Sequence, residues 1–148
     1  MTPDEKAAEL GLDLTAYKPI PNLAPATRIG NTIYTSGHVS TGYQGKLGRE
    51  YTTNVGQEAA RVCGVQLLQA VYTLTHTLNN VRCVKVLGAV NSTPDFVEQH
   101  LVINGASQLI WDILGKEGRG FHARSALGFA SLPNGFAVEI EAIFEVVE

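Results

Sequence analysis

The stretch HARSALGFASLPNGFAVEIEAIFEV, residues 122–146, indicates two β-strands joined by a turn. Apolar and polar side chains alternate through residues 136–147, which is typical of a strand with one buried face. Residues 124–131 have the length and composition of a second strand, and the LPNG segment at residues 132–135 is rich in turn-forming residues. We therefore predict that these two strands pair as an antiparallel hairpin.

The alternation also predicts which side of each strand is buried. In the last strand one face is entirely apolar and the other holds three glutamates, so we expect helices to cover the apolar face. In the strand before it, Leu127 and Phe129 point one way, and we expect helices to cover them as well. The opposite face, which we expect a second subunit to cover, holds the smaller residues and an arginine: Arg124, Ala126, Gly128 and Ala130.

The rest of the chain predicts an α+β fold. We expect a single domain over residues 1–148, in which proline-rich residues 1–25 form an N-terminal arm. The predicted elements between arm and hairpin are strands at 26–30 and 32–39, a helix at 54–78, a strand at 83–90 and a helix at 94–114, preceded by a short helix at 4–12 within the arm. The order β-β-α-β-α-β-β favours a mixed sheet with two helices on one face.

Composition excludes several classes of function. The net charge of −3 argues against a nucleic-acid binder, which needs a basic surface. No apolar run reaches the roughly 20 residues of a membrane span, and the acidic, polar start of the chain favours a cytoplasmic protein. Charged residues are only 17% of the chain, against about 25% in a typical soluble domain, which favours an oligomer. Cys63 and Cys83 lie in apolar segments, so we expect buried, reduced thiols.

Common catalytic and metal-binding motifs are absent from the chain. The glycine-rich segment at residues 115–120 follows a predicted helix rather than a strand, which argues against a phosphate-binding loop. The four histidines show no metal-ligand spacing, so no metal is expected: His38, His76, His100 and His122. What remains is the predicted hairpin, which would bring Arg124 close to Glu139 and Glu141. Such a group is either a surface ion pair or a site in which arginine binds a small carboxylate.

Several segments together resemble the YjgF/RidA family. They are GNTIYTSGH at residues 30–38, ARS at 123–125, LP at 132–133 and VEIEAI at 138–143. The similarity extends over roughly residues 17–148. It implies a chorismate-mutase-like α+β fold, a homotrimer with clefts between subunits, and cofactor-independent hydrolysis of small 2-imino and 2-enamino acids to 2-keto acids and ammonia.

The resemblance also implies roles for individual residues. Arg124 corresponds to the arginine that binds the substrate carboxylate, and Glu139 to the glutamate that positions the attacking water. The remaining candidate substrate-binding residues are Ser36, Gly37, His38, Asn104 and Ala126.

The chain departs from the family pattern at three points. The arm has Asn22–Ala26 where the family has a Gly-Pro-Tyr segment, Ala126 replaces a cysteine, and the loop before Arg124 is longer. Three hypotheses remain open: an imine or enamine deaminase, a non-catalytic trimer that binds a small carboxylate metabolite, and, less favoured, the endoribonuclease or translation inhibitor of the family's older names.

Overall fold

A computed structural model describes residues 1–148 as a mixed sheet with helices packed against it. The elements are α1 (Pro3–Glu9), β1 (Ala26–Ile29), β2 (Thr32–Thr35), β3 (His38–Val39), α2 (Thr53–Thr75), β4 (Val81–Asn91), α3 (Gln99–Leu114), β5 (Ala123–Phe129) and β6 (Val138–Val146). The predicted α+β class and element order are confirmed, except that the predicted strand at 32–39 is divided into β2 and β3. No helix is both long and apolar enough to cross a membrane.

The strand order corrects the predicted hairpin. The sheet runs β1-β2-β6-β4-β5, so β4 lies between the two strands that we expected to pair. β5 is parallel to β4, because α3 forms the crossover that parallel neighbours require. The connection after β5 then crosses the end of β4 and returns as β6, antiparallel to it. Arg124 is therefore opposite Val86 of β4 and is not opposite a glutamate of β6.

The two faces of the sheet match the prediction in β6 and contradict it in β5. The apolar face of β6 is buried against the helices, as expected: Val138, Ile140, Ala142, Phe144 and Val146. In β5, however, Leu127 and Phe129 remain 49% and 40% exposed, and Ala126 packs against the core. Small residues face the helix side because α3 lies close to β5: a methyl group on Gly128 would be 2.7 Å from the side-chain amide of Gln99.

The start of α3 also differs from the prediction. The sequence predicts that this helix begins at residue 94, but Thr93 donates a side-chain hydrogen bond to Asp95, and its backbone carbonyl accepts one from the Phe96 amide, within a separate turn. The helix begins only at Gln99. At the other end, a wide π-type turn, Gly115–Arg119, occupies most of the predicted glycine-rich loop.

The helices α2 and α3 pack at a backbone-to-backbone contact. Gly105 of α3 lies so close to α2 that a methyl group there would be 2.7 Å from the carbonyl carbon of Gln57. The Gln57 side chain donates a hydrogen bond of 2.9 Å to the carbonyl of Leu101 across the same interface. This contact sets how closely α3 approaches α2 immediately beside Asn104, which α3 contributes to the candidate site.

We expect both cysteines to be unreactive in the folded protein. Cys63 and Cys83 are free and completely buried, and burial raises the pKa of both thiols, that of Cys83 to about 12. Since the thiolate is the reactive form, a thiol reagent should label neither residue until the protein unfolds. The rate of labelling by a chromogenic disulfide reagent in buffer, compared with the rate in denaturant, measures this. Labelling in buffer that is as fast as in denaturant would contradict the prediction.

Candidate active site

Arg124 lies on the edge strand β5 and points towards α3. Its Nη1 donates hydrogen bonds to Asn104 Oδ1 at 2.7 Å and to Ser107 Oγ at 3.2 Å. The side chain is half-buried, and burial lowers the pKa of the guanidinium, which nevertheless stays charged near neutral pH. The structure therefore brings together Arg124 and Asn104, two residues that the resemblance placed in one site.

Arg124 has no acidic partner within the chain. The salt bridges of the chain involve other residues, in the pairs Lys6–Glu9, Arg49–Glu50 and Arg82–Glu145. The interpretation of Arg124 as a cross-strand ion pair with Glu139 or Glu141 is therefore wrong. A half-buried guanidinium held by two uncharged oxygens retains an unbalanced positive charge, which favours an anionic ligand.

A buried serine and a histidine continue the hydrogen-bond network of Arg124. Ser107 Oγ lies 2.9 Å from Nε2 of His122, and Nδ1 of His122 lies 2.7 Å from the carbonyl oxygen of Gly120. The His122 ring stacks on Trp111 of α3, with ring centroids 6.0 Å apart. Burial is the main cause that lowers the pKa of His122, and the positive charge of Arg124 adds to it.

A glycine after the wide turn determines the position of His122. Gly120 donates a backbone hydrogen bond to Gly115, and a methyl group on Gly120 would be 2.7 and 2.8 Å from the carbonyl oxygens of Gly115 and Ile110. Only a glycine allows the chain to pass this close to the end of α3. The predicted loop is therefore a structural element that directs His122 back towards α3.

Glu139 lies in a second group of residues, on the other face of the sheet. Its carboxylate packs against Gly37, where a Cβ atom would collide with it. Burial raises the pKa of Glu139, and the neighbouring charge of Glu141 raises it further. A glutamate with a raised pKa and no hydrogen-bond donor from its own chain is suited to accepting a proton from water.

The other predicted residues near Gly37 are used for internal contacts. The Ser36 hydroxyl donates to the Ala24 carbonyl in the N-terminal arm at 2.5 Å. His38 is fully buried, and its Nδ1 donates to the Ser36 carbonyl while its Nε2 accepts a 2.8 Å hydrogen bond from the Tyr17 hydroxyl. Burial lowers the pKa of His38. Within one chain, Ser36 and His38 therefore fasten the arm to the sheet next to Gly37.

The two groups of candidate residues face opposite sides of the sheet. Arg124, Asn104 and Ala126 lie on the helix side, whereas the Glu139 side chain lies on the outer face. The four main surface grooves, of about 390 to 670 Å³, are lined by neither Arg124 nor Glu139, although Asn104 lines one of them. A single chain does not direct both groups at one ligand.

The sequence analysis missed three residues of these networks. His122 directly precedes Ala-Arg-Ser and was considered only as a metal ligand, although its position two residues before Arg124 places both on the same face of an extended strand. Ser107 lies three residues after Asn104, which is one helical turn and hence the same face of α3. No sequence spacing relates Tyr17, in the arm, to the other site residues, because only the tertiary structure sets the contact between the arm and β3.

These features define a class of small α+β domain that presents an arginine without an acidic partner at the edge of a mixed sheet. The Endoribonuclease L-PSP family description matches residues 14–146, so the chain belongs to this family, which is the YjgF/RidA family. The protein TCP17 of Trypanosoma cruzi is 39% identical over an alignment of 144 residues that covers 93% of this chain and 89% of TCP17. The predicted family is confirmed.

Solved structures agree with this assignment. Atu1372 from Agrobacterium tumefaciens, a protein of unknown function, is 41% identical, with a TM-score of 0.85 over 97% of this chain and 92% of that chain. Escherichia coli TdcF, whose structure holds bound serine, is 21% identical, with a TM-score of 0.59 over 92% of this chain and 96% of that chain. The second match supports the fold alone.

Proposed function

We propose that this protein hydrolyses small 2-imino and 2-enamino acids to 2-keto acids and ammonia, at clefts between the subunits of a homotrimer. One observation supports this most directly: Arg124 is held by uncharged oxygens and has no acidic partner in its own chain. A small carboxylate is the ligand that balances its charge. The serine bound to TdcF, a family structure, is a small molecule with such a carboxylate.

The chemistry requires orientation of the substrate and a proton acceptor. An enamine first becomes the imine, and water then adds to the imine carbon to form a carbinolamine. Glu139 takes a proton from the attacking water and returns it to the nitrogen, which gives the carbinolamine. The hydroxyl proton of the carbinolamine then moves to the amino group, the C–N bond breaks, and ammonia leaves as the C=O bond of the keto acid forms. Binding the carboxylate at Arg124 keeps the imine carbon within reach of this water. The reaction needs no cofactor.

The proposed site requires residues from two subunits. Arg124 and Glu139 face opposite sides of the sheet in one chain, so a second copy must supply one of them. The outer face, which would become the subunit interface, exposes apolar side chains at Tyr34, Leu127 and Phe129. Low charge content across the chain favours the same arrangement.

Binding of a carboxylate metabolite without turnover is the second candidate function. Ala126 is in the position of the family's cysteine, and the same Arg124 would hold such a ligand. Hydrolysis of RNA has less support, because the net charge of −3 offers no general attraction for a phosphate backbone.

The pH dependence of turnover tests the role of Glu139. The carboxylate must be ionised to accept a proton, and its pKa is raised, so activity should fall as the pH is lowered through that raised pKa. Glu139→Gln should reduce kcat about 100-fold or more and leave no such acid limb. Following 2-keto acid release from 2-aminoacrylate, generated by a coupled lyase, at a series of pH values measures both effects.

Glu141→Gln is the matched control on the same strand. Glu141 is exposed and its charge raises the pKa of Glu139. Removing the Glu141 charge should lower the pKa of Glu139. The acid limb of the activity profile should then move to lower pH, and the plateau activity should stay unchanged. If the wild-type protein binds 2-keto acids but releases no keto acid from 2-aminoacrylate, the non-catalytic function is correct. Equal activity of the Glu139→Gln and wild-type proteins would exclude Glu139 as the base.

A further inference from the structure

The hydrogen bonds around Arg124 have a single consistent direction. A backbone carbonyl only accepts, so the 2.7 Å contact between His122 Nδ1 and the Gly120 oxygen requires the proton on Nδ1. In the neutral ring Nε2 is then an acceptor, and the Ser107 hydroxyl must donate to it. This leaves the lone pairs of Ser107 Oγ free to accept from Arg124. The chain of donors thus runs from Arg124 through Ser107 and His122 to Gly120.

This network uses one nitrogen of the guanidinium and leaves the others available. Nη1 carries two hydrogens, and Asn104 and Ser107 accept one each. Nε and Nη2 donate to no group in the chain. Those two nitrogens form the side of the guanidinium that can bind both oxygens of one carboxylate.

We propose that Ser107 and His122 are positioning residues that orient Arg124, so that its Nε and Nη2 side binds the substrate carboxylate. This inference rests on the proposed function and extends it to residues for which the sequence analysis assigned no such role. Ser107 is completely buried, so it does not contact the substrate and acts only through Arg124. The stacking of His122 on Trp111 keeps the ring in the plane that this geometry needs.

The network operates only while His122 is neutral. A protonated ring would donate from Nε2 to Ser107, compete with Arg124 for the serine oxygen and place a second cation beside the guanidinium. Burial and the Arg124 guanidinium on β5 both lower the pKa of His122, and the hydrogen bond to the Gly120 carbonyl acts in the opposite direction. The other cation beside this cluster is Lys116, whose Nζ lies 4.8 Å from the centre of the Trp111 ring on which His122 stacks. Carboxylate affinity should therefore decrease at acidic pH as His122 becomes protonated.

Calorimetric titration of the protein with pyruvate, a small 2-keto acid, measures the effect of this network on binding. Ser107→Ala removes one of the two acceptors of Nη1, and we expect the Kd for pyruvate to rise about tenfold. The KM for 2-aminoacrylate should rise by a similar factor, with kcat changed much less, because the reacting atoms are untouched. Ser107→Thr keeps the hydroxyl on α3 and should restore the Kd to within about threefold of wild type.

A variant of the histidine separates positioning from simple stability. His122→Gln provides an oxygen that accepts from Ser107 at every pH, so its Kd for pyruvate should remain constant where that of the wild-type protein rises at acidic pH. A structural role alone would change the melting temperature in these variants without changing KM or the pH profile of binding. Wild-type Kd and KM in Ser107→Ala, in a protein that melts cooperatively, would overturn the inference.

Nuclear magnetic resonance distinguishes failure of this inference from failure of the proposed function. The nitrogen shifts of His122 should identify the Nδ1-protonated ring, and rotation of the Arg124 guanidinium should be slow in the wild-type protein and faster in Ser107→Ala. If these results hold but pyruvate does not bind and 2-aminoacrylate is not hydrolysed, the proposed function is wrong, and with it the role in substrate binding. An Nε2-protonated ring would overturn the inference even in an active enzyme.

Discussion

Replacing Arg124 by lysine is expected to weaken binding of 2-keto acids by at least about 30-fold, since loss of a charged partner in a desolvated site costs about 2–5 kcal/mol. Lysine keeps the positive charge but lacks the planar group that bonds Asn104, Ser107 and a carboxylate at the same time. The fold should persist, because the guanidinium is only half-buried at an edge strand. Titration with pyruvate, turnover of 2-aminoacrylate and the melting temperature provide the measurements.

Arg82→Lys is the matched control for this substitution. Arg82 is exposed and forms a long 3.9 Å salt bridge with Glu145, which contributes little to stability. Binding and turnover should remain at the wild-type level. If Arg124→Lys also binds pyruvate and turns over 2-aminoacrylate like the wild-type protein, Arg124 is not the carboxylate-binding residue.

The Arg124→Lys variant also tests whether two subunits form each site. Arg124→Lys and Glu139→Gln should each be nearly inactive as separate proteins. After denaturation together and refolding, about one cleft in four of a randomly mixed symmetric trimer would combine an intact Arg124 with an intact Glu139 from the neighbouring subunit. Activity should therefore reappear in the mixture, and sedimentation should show a trimer. A stable monomer, or a mixed trimer without activity, would refute a site shared between subunits.

Gly105→Ala is expected to have the largest effect on stability, lowering the free energy of unfolding by about 3 kcal/mol. The added methyl group would collide with the carbonyl of Gln57, which is backbone within α2 and cannot rotate away as a side chain can. The helices must then move apart, and Asn104, the preceding residue, moves with α3. For a chain of this size the Tm should fall by about 6–12 °C. Thermal unfolding followed by circular dichroism measures it.

Gly118→Ala is the control for the loss of glycine itself. No atom lies within 4 Å of the position of a Cβ at Gly118, but its φ of −133° and ψ of −127° lie outside the regions that residues with a Cβ prefer. This substitution should therefore lower the Tm less than Gly105→Ala does, by backbone strain without a collision, and leave pyruvate binding nearly unchanged. A Gly105→Ala protein as stable as Gly118→Ala would show that α2 and α3 do not depend on their close contact.

The sequence alone determined the elements and the buried face of β6. Hydrophobic periodicity is a local property, and it predicted the two long helices to within a few residues at most ends. The start of α3 was an exception, because Thr93 forms a separate turn with Asp95 and Phe96 and the helix begins only at Gln99. The residues quoted for the family resemblance were sufficient to identify the family, and Arg124 and Asn104 are adjacent as that resemblance implied.

Only the tertiary structure decided where β5 lies and which way Arg124 points. Alternation predicts that residues 124 and 126 share a face, but it does not indicate whether that face meets a helix. The crossover through α3 placed β5 beside β4, and the close approach of α3 required the small residues of β5 beneath it. Ser107 and His122 meet Arg124 for the same reason. Helix packing brings together residues that are far apart in the sequence, and a local sequence pattern does not indicate which distant residues will meet.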